Sequence, residues 1–226
     1  MMHFLRTRGS SLAVVVVVMF FIALLQAGVS YSVEQGPLRK FEPSAFRAVA
    51  VGLYAVRIIL LLLLTVLWTL NRRRALFWAI IAANGYFTLG LLVDVVSLMG
   101  VLGGLRQAAR SLLIDAALMS VSNMLIFSIW YWIIDPPGVE DEPHEEAKWA
   151  FLFPQRTSLL PHYASWSPGY ADYLFIGFTT NFAFSPTDAL PLTRAAKMLM
   201  LMQAAISVVI VTGIAAGAIN ALVGSG

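Results

Sequence analysis

The sequence contains no cysteine, and charged residues make up only 12% of its 226 positions. The missing thiols exclude disulfides, cysteine nucleophiles and cysteine-ligated metal sites. Soluble domains carry about 25% charged residues, so this chain has too little charge to cover a globule of its size in water. Because 59% of the residues are hydrophobic, the composition predicts a protein that is surrounded by lipid.

The net charge of +3 does not indicate binding to nucleic acid. Basic residues stand at the ends of apolar runs, as at Arg6, Arg8 and Arg72–Arg74, which is typical of the charges that orient membrane helices. We therefore expect the lipid bilayer, and no nucleic acid, as a partner. The composition and the positions of the charges thus predict an integral membrane protein.

Five apolar runs reach the roughly 20 residues that a helix needs to cross a bilayer. They predict an all-α membrane protein with about five transmembrane helices. The runs cover residues 11–29, 48–70, 75–105, 111–134 and 194–222. A signal peptide is the alternative for the first run, because basic residues precede it and small residues follow it, but its length favours a retained helix.

The region between the last two runs has a different character. Two prolines after Asp135 end the fourth helix, and the acidic residues 140–146 need water, so we expect a soluble loop at about 135–169. Residues 170–184 are too short to span a bilayer and too apolar for a free loop, which predicts a re-entrant helix. The chain thus divides into a three-helix membrane region, 1–110, and a helix–loop–helix module, 111–226.

Residues 172–193 resemble the pore loop of tetrameric potassium channels. A short apolar helix is followed by the polar turn 179–181 and by the closing pattern of Asp188, Pro191 and Thr193. The C-terminal half, with its Trp-Tyr-Trp motif at 130–132, is also similar to a family of uncharacterised bacterial membrane proteins. The first resemblance implies a homotetramer with a pore loop that conducts ions. The second implies the fold without an activity, and a location in a bacterial cytoplasmic (inner) membrane.

The filter position departs from the potassium-channel pattern. Where the family has Thr-Val-Gly-Tyr-Gly, residues 183–187 read Ala-Phe-Ser-Pro-Thr, and Pro186 holds its φ at about −65°. A stack of carbonyl ligands for potassium is therefore not expected, and four copies of Asp188 would instead concentrate cations. The predicted filter residues are Thr179, Thr180, Asn181, Phe184, Ser185, Pro186, Thr187 and Asp188. The same Ser-Pro-Thr-Asp sequence is also typical of a helix start.

Polar residues also mark one face of the last helix. Gln203 and Ser207 are one helical turn apart, and Ile210 and Ile214 continue the face as a possible hydrophobic constriction. Two interpretations stay open at this point. The face either lines a water-filled pore, or its polar residues form hydrogen bonds between helices.

Charges inside apolar runs are costly unless they are paired or wetted. If the second and third runs form a hairpin, Arg57 and Asp94 are offset by roughly 9 Å along it, so we expect an intramembrane charge pair. A structural salt bridge is favoured over a proton relay. His3, His144 and His162 are too dispersed for a zinc site, and we expect no cofactor, no metal and no enzyme.

Two functions remain after these steps. The first is an oligomeric ion channel-like protein with a non-potassium filter, and the second is a non-conducting scaffold or accessory subunit that keeps the pore fold. The side of the membrane that holds the loop also stays open. Basic residues favour the cytoplasmic side, whereas the resemblance to potassium channels implies the outside.

Overall fold

The computed structural model describes residues 9–33, 43–102, 109–135, 149–163, 166–183 and 189–223. These residues are mostly helical. In chain order the elements are α1 (Gly9–Val33), α2 (Pro43–Thr69), α3 (Arg73–Leu102), α4 (Ala109–Ile134), β1 (Phe151–Leu152), α5 (Pro154–Thr157), α6 (Tyr170–Ala183), β2 (Leu190–Pro191) and α7 (Arg194–Val223). A 3-10 turn, Pro161–Tyr163, lies between α5 and α6.

Five of these helices are long and apolar enough to cross a membrane, namely α1, α2, α3, α4 and α7. Their apolar stretches reach 19 to 25 residues, which matches the thickness of a bilayer. The predicted all-α membrane protein with five membrane-spanning helices is confirmed at this level. With 14 residues, α6 is too short to be a sixth span.

Helix α4 lies at the centre of the bundle. It packs against α7, α6, α1 and α3, and its large aromatic side chains Phe127, Tyr131 and Trp132 are fully buried. Because α4 contacts helices on both sides of residue 110, the two predicted regions share one continuous core. Helix α2 contacts only its sequence neighbours closely and leaves most of its apolar side chains exposed.

Side-chain amides connect the N-terminal helices. The Nε2 of Gln26 on α1 donates to the carbonyl oxygen of Phe87 on α3 at 2.7 Å. The Nδ2 of Asn84 on α3 donates to the carbonyl oxygen of Ile126 on α4 at 3.1 Å. Such bonds associate helices in lipid, where burial of apolar surface gives little driving force.

Several helix ends meet on one side of the bundle. Phe77 near the start of α3 lies 6.0 Å from Trp132 near the end of α4, measured between ring centroids. The tight turn between α2 and α3 is therefore at the same side, with Asn71 at a φ of 53°, a left-handed conformation that asparagine tolerates. We call this side, with Asp135 after the end of α4, the Asp135 end.

A two-residue ladder holds the start of α7 at the Asp135 end. Strand β1 pairs antiparallel with β2, and Phe151 lies opposite Pro191. The sequence does not predict this pairing. The reason is that the two strands are short and lie far apart in the sequence, so neither carries a local strand pattern.

Candidate functional site

Helix α6 lies antiparallel along the second half of α4. Near its start, the Tyr173 hydroxyl donates to Oδ2 of Asp135 at 2.6 Å. In its last turn, Nδ2 of Asn181 donates to Oγ of Ser120 at 2.9 Å. The helix therefore runs from the Asp135 end to the level of Ser120, within the apolar stretch 113–134 that α4 offers to the membrane.

Gly177 allows α6 and α4 to approach closely. A Cβ atom at this position would lie 2.8 Å from the carbonyl oxygen of Met124 and 3.2 Å from Cβ of Ser128. The first distance is shorter than real side chains show, and its partner is backbone that cannot rotate away. Glycine is therefore required here by the packing of the two helices.

Five polar residues meet where α4, α6 and α7 pack together. We call them the polar cluster: Ser120, Asn123, Asn181, Gln203 and Ser207. The Nδ2 of Asn123 lies within hydrogen-bonding distance of three acceptors, which are Oδ1 of Asn181 at 2.9 Å, Oγ of Ser207 at 2.9 Å and the carbonyl oxygen of Gln203 at 3.2 Å. One asparagine thus connects all three helices.

Further hydrogen bonds extend the polar cluster along α7. The Nε2 of Gln203 donates to the carbonyl oxygen of Gly177 at 2.7 Å, and the Tyr131 hydroxyl donates to Oε1 of Gln203. The Oγ of Ser207 donates to Oδ1 of Asn181 at 2.7 Å. Because the cluster contains only amides and hydroxyls, it can hold helices together or bind a polar ligand, but it supplies no acid or base.

The predicted pore-lining residues of α7 point into the chain. Gln203 and Ser207 are 0% and 2% exposed, and Ile210 is buried as well. In the single chain these two polar side chains make hydrogen bonds between helices. The physical reason is that their face of α7 is the one that packs against α4 and α6. The side chain of Ile214 lies outside the described residues.

The predicted filter residues divide into two groups. Thr179, Thr180 and Asn181 are buried near the end of α6, and the Thr179 hydroxyl donates to the carbonyl oxygen of Phe175 at 3.0 Å. Phe184, Ser185, Pro186, Thr187 and Asp188 lie outside the described residues. The structure thus brings one predicted filter residue, Asn181, together with the predicted residues of α7.

The buried carboxylate of Asp135 lies beside the start of α6. The Oδ1 of Asp135 accepts the backbone N–H groups of Ala150 at 2.8 Å and Phe151 at 3.2 Å. Its Oδ2 accepts Nη2 of Arg156 at 3.0 Å, in addition to Tyr173. Asp135 and Arg156 thus form a close ion pair.

Aromatic rings and backbone complete the surroundings of Arg156. Its guanidinium lies 4.8 Å from the ring centroid of Trp149, and its Nη1 donates to the carbonyl oxygen of Phe151 at 2.7 Å. We call Asp135, Arg156 and Tyr173 the Asp135 node. It joins the end of α4, the strand β1 and the first turns of α6.

Tyr170 makes a second contact between α6 and α4. Its hydroxyl lies 2.7 Å from Oγ of Ser128. Burial raises the pKa of the Tyr170 phenol well above its ordinary value, so this group stays a neutral hydroxyl over the physiological range.

Sequence reasoning missed several of these residues. Asn123 and Ser120 interrupt the apolar run of α4, and that interruption is a visible signal of a buried polar contact. The sequence indicates Asp135 only as part of a helix stop, and Arg156 carries no local signal, because its partner is distant in the sequence.

The predicted charge pair of Arg57 and Asp94 is not a direct salt bridge. The Nη1 of Arg57 donates to the carbonyl oxygen of Ala23 on α1 at 3.3 Å, and both charged side chains are half-buried. Within the described residues, the charged groups of Arg57 and Asp94 make no N···O contact within 4 Å.

The outer face of α6 is aromatic. Phe175, Phe178 and Phe182 are each about half exposed, and the rings of Phe178 and Phe182 lie 4.9 Å apart. One face of this short helix is therefore polar and buried against α4 and α7, and the other is apolar and uncovered in the single chain.

Comparisons with known proteins give no relative for this chain. No protein-family model, no curated protein and no solved structure matches it.

Proposed function

We propose that the chain is a subunit of an oligomeric, ion channel-like membrane protein in which α6 and the residues after it form a re-entrant pore loop. The observation that carries the proposal is the course of the chain around α6. Tyr173 contacts Asp135, Asn181 contacts Ser120, and Leu190 is back beside β1 at the Asp135 end. A helix of 14 residues descends about 21 Å at about 1.5 Å per residue, and the chain leaves on the side from which it came.

Polar contacts near the end of α6 support the same proposal. A helix that ends inside a bilayer exposes backbone groups that lipid cannot satisfy, so such segments occur only within protein or beside water. The polar cluster at the end of α6 provides protein partners at that depth. By resemblance, four copies would surround a pore whose filter is of a non-potassium type, in the inner membrane of a bacterium.

The pore-lining face of α7 needs to be reassigned within this proposal. Because Gln203 and Ser207 are buried inside the chain, a pore shared between copies would be lined by the exposed face of α7. That face includes Met198, Met202, Val208 and Thr212. A lining of methionine and valine is apolar, so we expect selectivity to come from the loop and its Asp188 rather than from α7.

Currents through planar bilayers test the conducting function. We expect purified protein to carry cation current, and Asp188→Asn to reduce it because the loop loses its carboxylate. Asp172→Asn is the matched control, since Asp172 accepts the backbone N–H of Gly169 at 2.7 Å at the start of α6 and its substitution leaves the carboxylate of Asp188 in place. Absence of current with several cations, anions and pH values would contradict a channel.

The oligomeric state is an independent test of the proposal. We expect cyclic symmetry, with four copies by resemblance, in particles imaged in detergent or nanodiscs. A monomer would contradict a pore that is built from one loop per subunit.

A non-conducting scaffold or accessory subunit is the second candidate. The specific observation that favours it is that the polar residues of α7 make hydrogen bonds within the chain, which holds α6 in place whether or not ions pass. Symmetric oligomers that carry no current, together with an Asp188→Asn variant that behaves as the parent protein does, would select this candidate.

A further inference from the structure

The side-chain oxygen of Asn123 is a buried acceptor without a donor. Asn123 is 0% exposed, and no residue that the structure describes donates a hydrogen bond to its Oδ1. The orientation of the amide is fixed by its surroundings, because the opposite orientation would set Oδ1 against the oxygens of Asn181 and Gln203. The unpartnered atom is therefore the oxygen.

Three neighbouring donors of the polar cluster already have other acceptors. Asn181 donates to Ser120, Gln203 donates to the carbonyl oxygen of Gly177, and Tyr131 donates to Gln203. A buried amide oxygen without a hydrogen bond is strongly disfavoured in an apolar surrounding. The donor that satisfies Asn123 must therefore come from outside these side chains.

We propose that Asn123 Oδ1 binds water, and that the polar cluster is a hydrated site at the inner end of α6. The inference rests on the proposed re-entrant course of α6, which sets the cluster at membrane depth. Buried waters occupy sites that offer two or more polar partners, and the amides and hydroxyls of the cluster provide them. Backbone groups at the end of a helix are likewise tolerated at membrane depth when they lie beside water. Water that reaches the polar cluster therefore satisfies both Asn123 Oδ1 and the backbone at the end of α6.

Single cysteines test whether water reaches the cluster. The chain has no cysteine of its own, so each variant carries one thiol. In Ser120→Cys the thiol replaces a hydroxyl that lies 2.9 Å from Nδ2 of Asn181. The matched control is Val121→Cys, because Val121 is the next residue of α4 at nearly the same depth and is 37% exposed on the outer surface.

Silver ions are the probe, because they are small, travel through water and react with thiolates, which form only in a wet surrounding. Intact membranes are treated with silver, and the remaining thiols are then counted with a maleimide after unfolding. We expect Ser120→Cys to react at least roughly tenfold faster than Val121→Cys, since thiolate nucleophiles are suppressed in apolar surroundings.

A second cluster cysteine keeps the test decisive if Ser120→Cys does not fold. Ser207→Cys replaces a hydroxyl of the cluster that is 2% exposed, and Val121→Cys on the outer surface of α4 serves again as the control. Gel filtration and thermal unfolding identify the folded variants. The same order of rates is expected for this pair.

Each outcome has a definite consequence. If a folded cluster cysteine and its control react equally slowly, the hydrated site is overturned. The channel proposal is then tested separately by the currents through planar bilayers. Fast reaction of both members of a pair overturns the membrane depth of α6, and with it the re-entrant loop. Fast reaction of the cluster cysteine alone, in a protein that carries no current, keeps the site and rejects the channel.

Discussion

Asp135 and Arg156 form a buried ion pair, with 3.0 Å between Oδ2 and Nη2 and side chains that are 0% and 4% exposed. Two residues that are 21 positions apart in the sequence thus hold the end of α4 against α5, beside the first turns of α6. Charges taken out of water are unfavourable unless hydrogen bonds satisfy them. Asp135 meets this condition with two backbone N–H groups and the Tyr173 hydroxyl.

Removing the carboxylate of the Asp135 node should destabilise the protein strongly. In Asp135→Ala the Arg156 guanidinium remains buried without its partner, which costs about 3–5 kcal/mol in comparable pairs. We expect a clear loss of thermal stability in detergent. The control is Arg194→Ala, which removes an exposed charge at the same end of the bundle. Equal melting temperatures for the two variants would contradict the role of the node.

The sequence predicts the membrane helices well because their signal is local. Length and hydropathy suffice to locate the five spans, and α6 is recognisable as an apolar helix that is too short to cross. The direction in which a helix face points depends on packing against segments that are distant in the sequence. The spacing of Gln203 and Ser207 shows that they share a face, but only packing decides that this face meets α4 and α6.

Partners between distant segments are equally hidden in the sequence. Asn123 and Ser207 are 84 positions apart, and nothing near either residue specifies the other. The same holds for Asp135 and Arg156. A single sequence therefore identifies buried polar residues as unusual, whereas the fold alone determines which of them bond.

Gly177→Ala should separate α6 from α4. The added methyl group would meet the carbonyl oxygen of Met124 at 2.8 Å, and overpacking of this kind costs about 1–3 kcal/mol. We expect a lower melting temperature. In the silver experiment we also expect a smaller difference between Ser120→Cys and Val121→Cys when either carries this change.

The matched control for that change is Gly85→Ala in α3. A Cβ at Gly85 meets no atom within 4 Å, so the substitution adds helix propensity without a clash and should raise stability by up to about 1 kcal/mol. If both alanine variants shift the melting temperature in the same direction, close packing at Gly177 is not the cause.

Arg57 and Asp94 should show a small coupling energy. Arg57 donates to Ala23 at 3.3 Å and lies beyond salt-bridge distance of Asp94, so attraction between the charges acts at longer range. In a double-mutant cycle with Arg57→Gln and Asp94→Asn, we expect a coupling of about 0.5–1 kcal/mol. The single change Asp94→Asn should destabilise, and adding Arg57→Gln should relieve part of that loss. Strictly additive losses would reject the pair.

The Asp135 end of the bundle should lie in the cytoplasm. Arg72–Arg74 and Arg194 stand at this end, and short basic segments remain on the cytoplasmic side. Leu159, which is 100% exposed near α5, is the position to label. A membrane-impermeant maleimide should modify Leu159→Cys in inverted vesicles and leave it unmodified in intact cells, with the opposite result for Gln35→Cys between the first two spans. Labelling of Leu159→Cys in intact cells would instead put the loop outside, on the side that the resemblance to potassium channels implies.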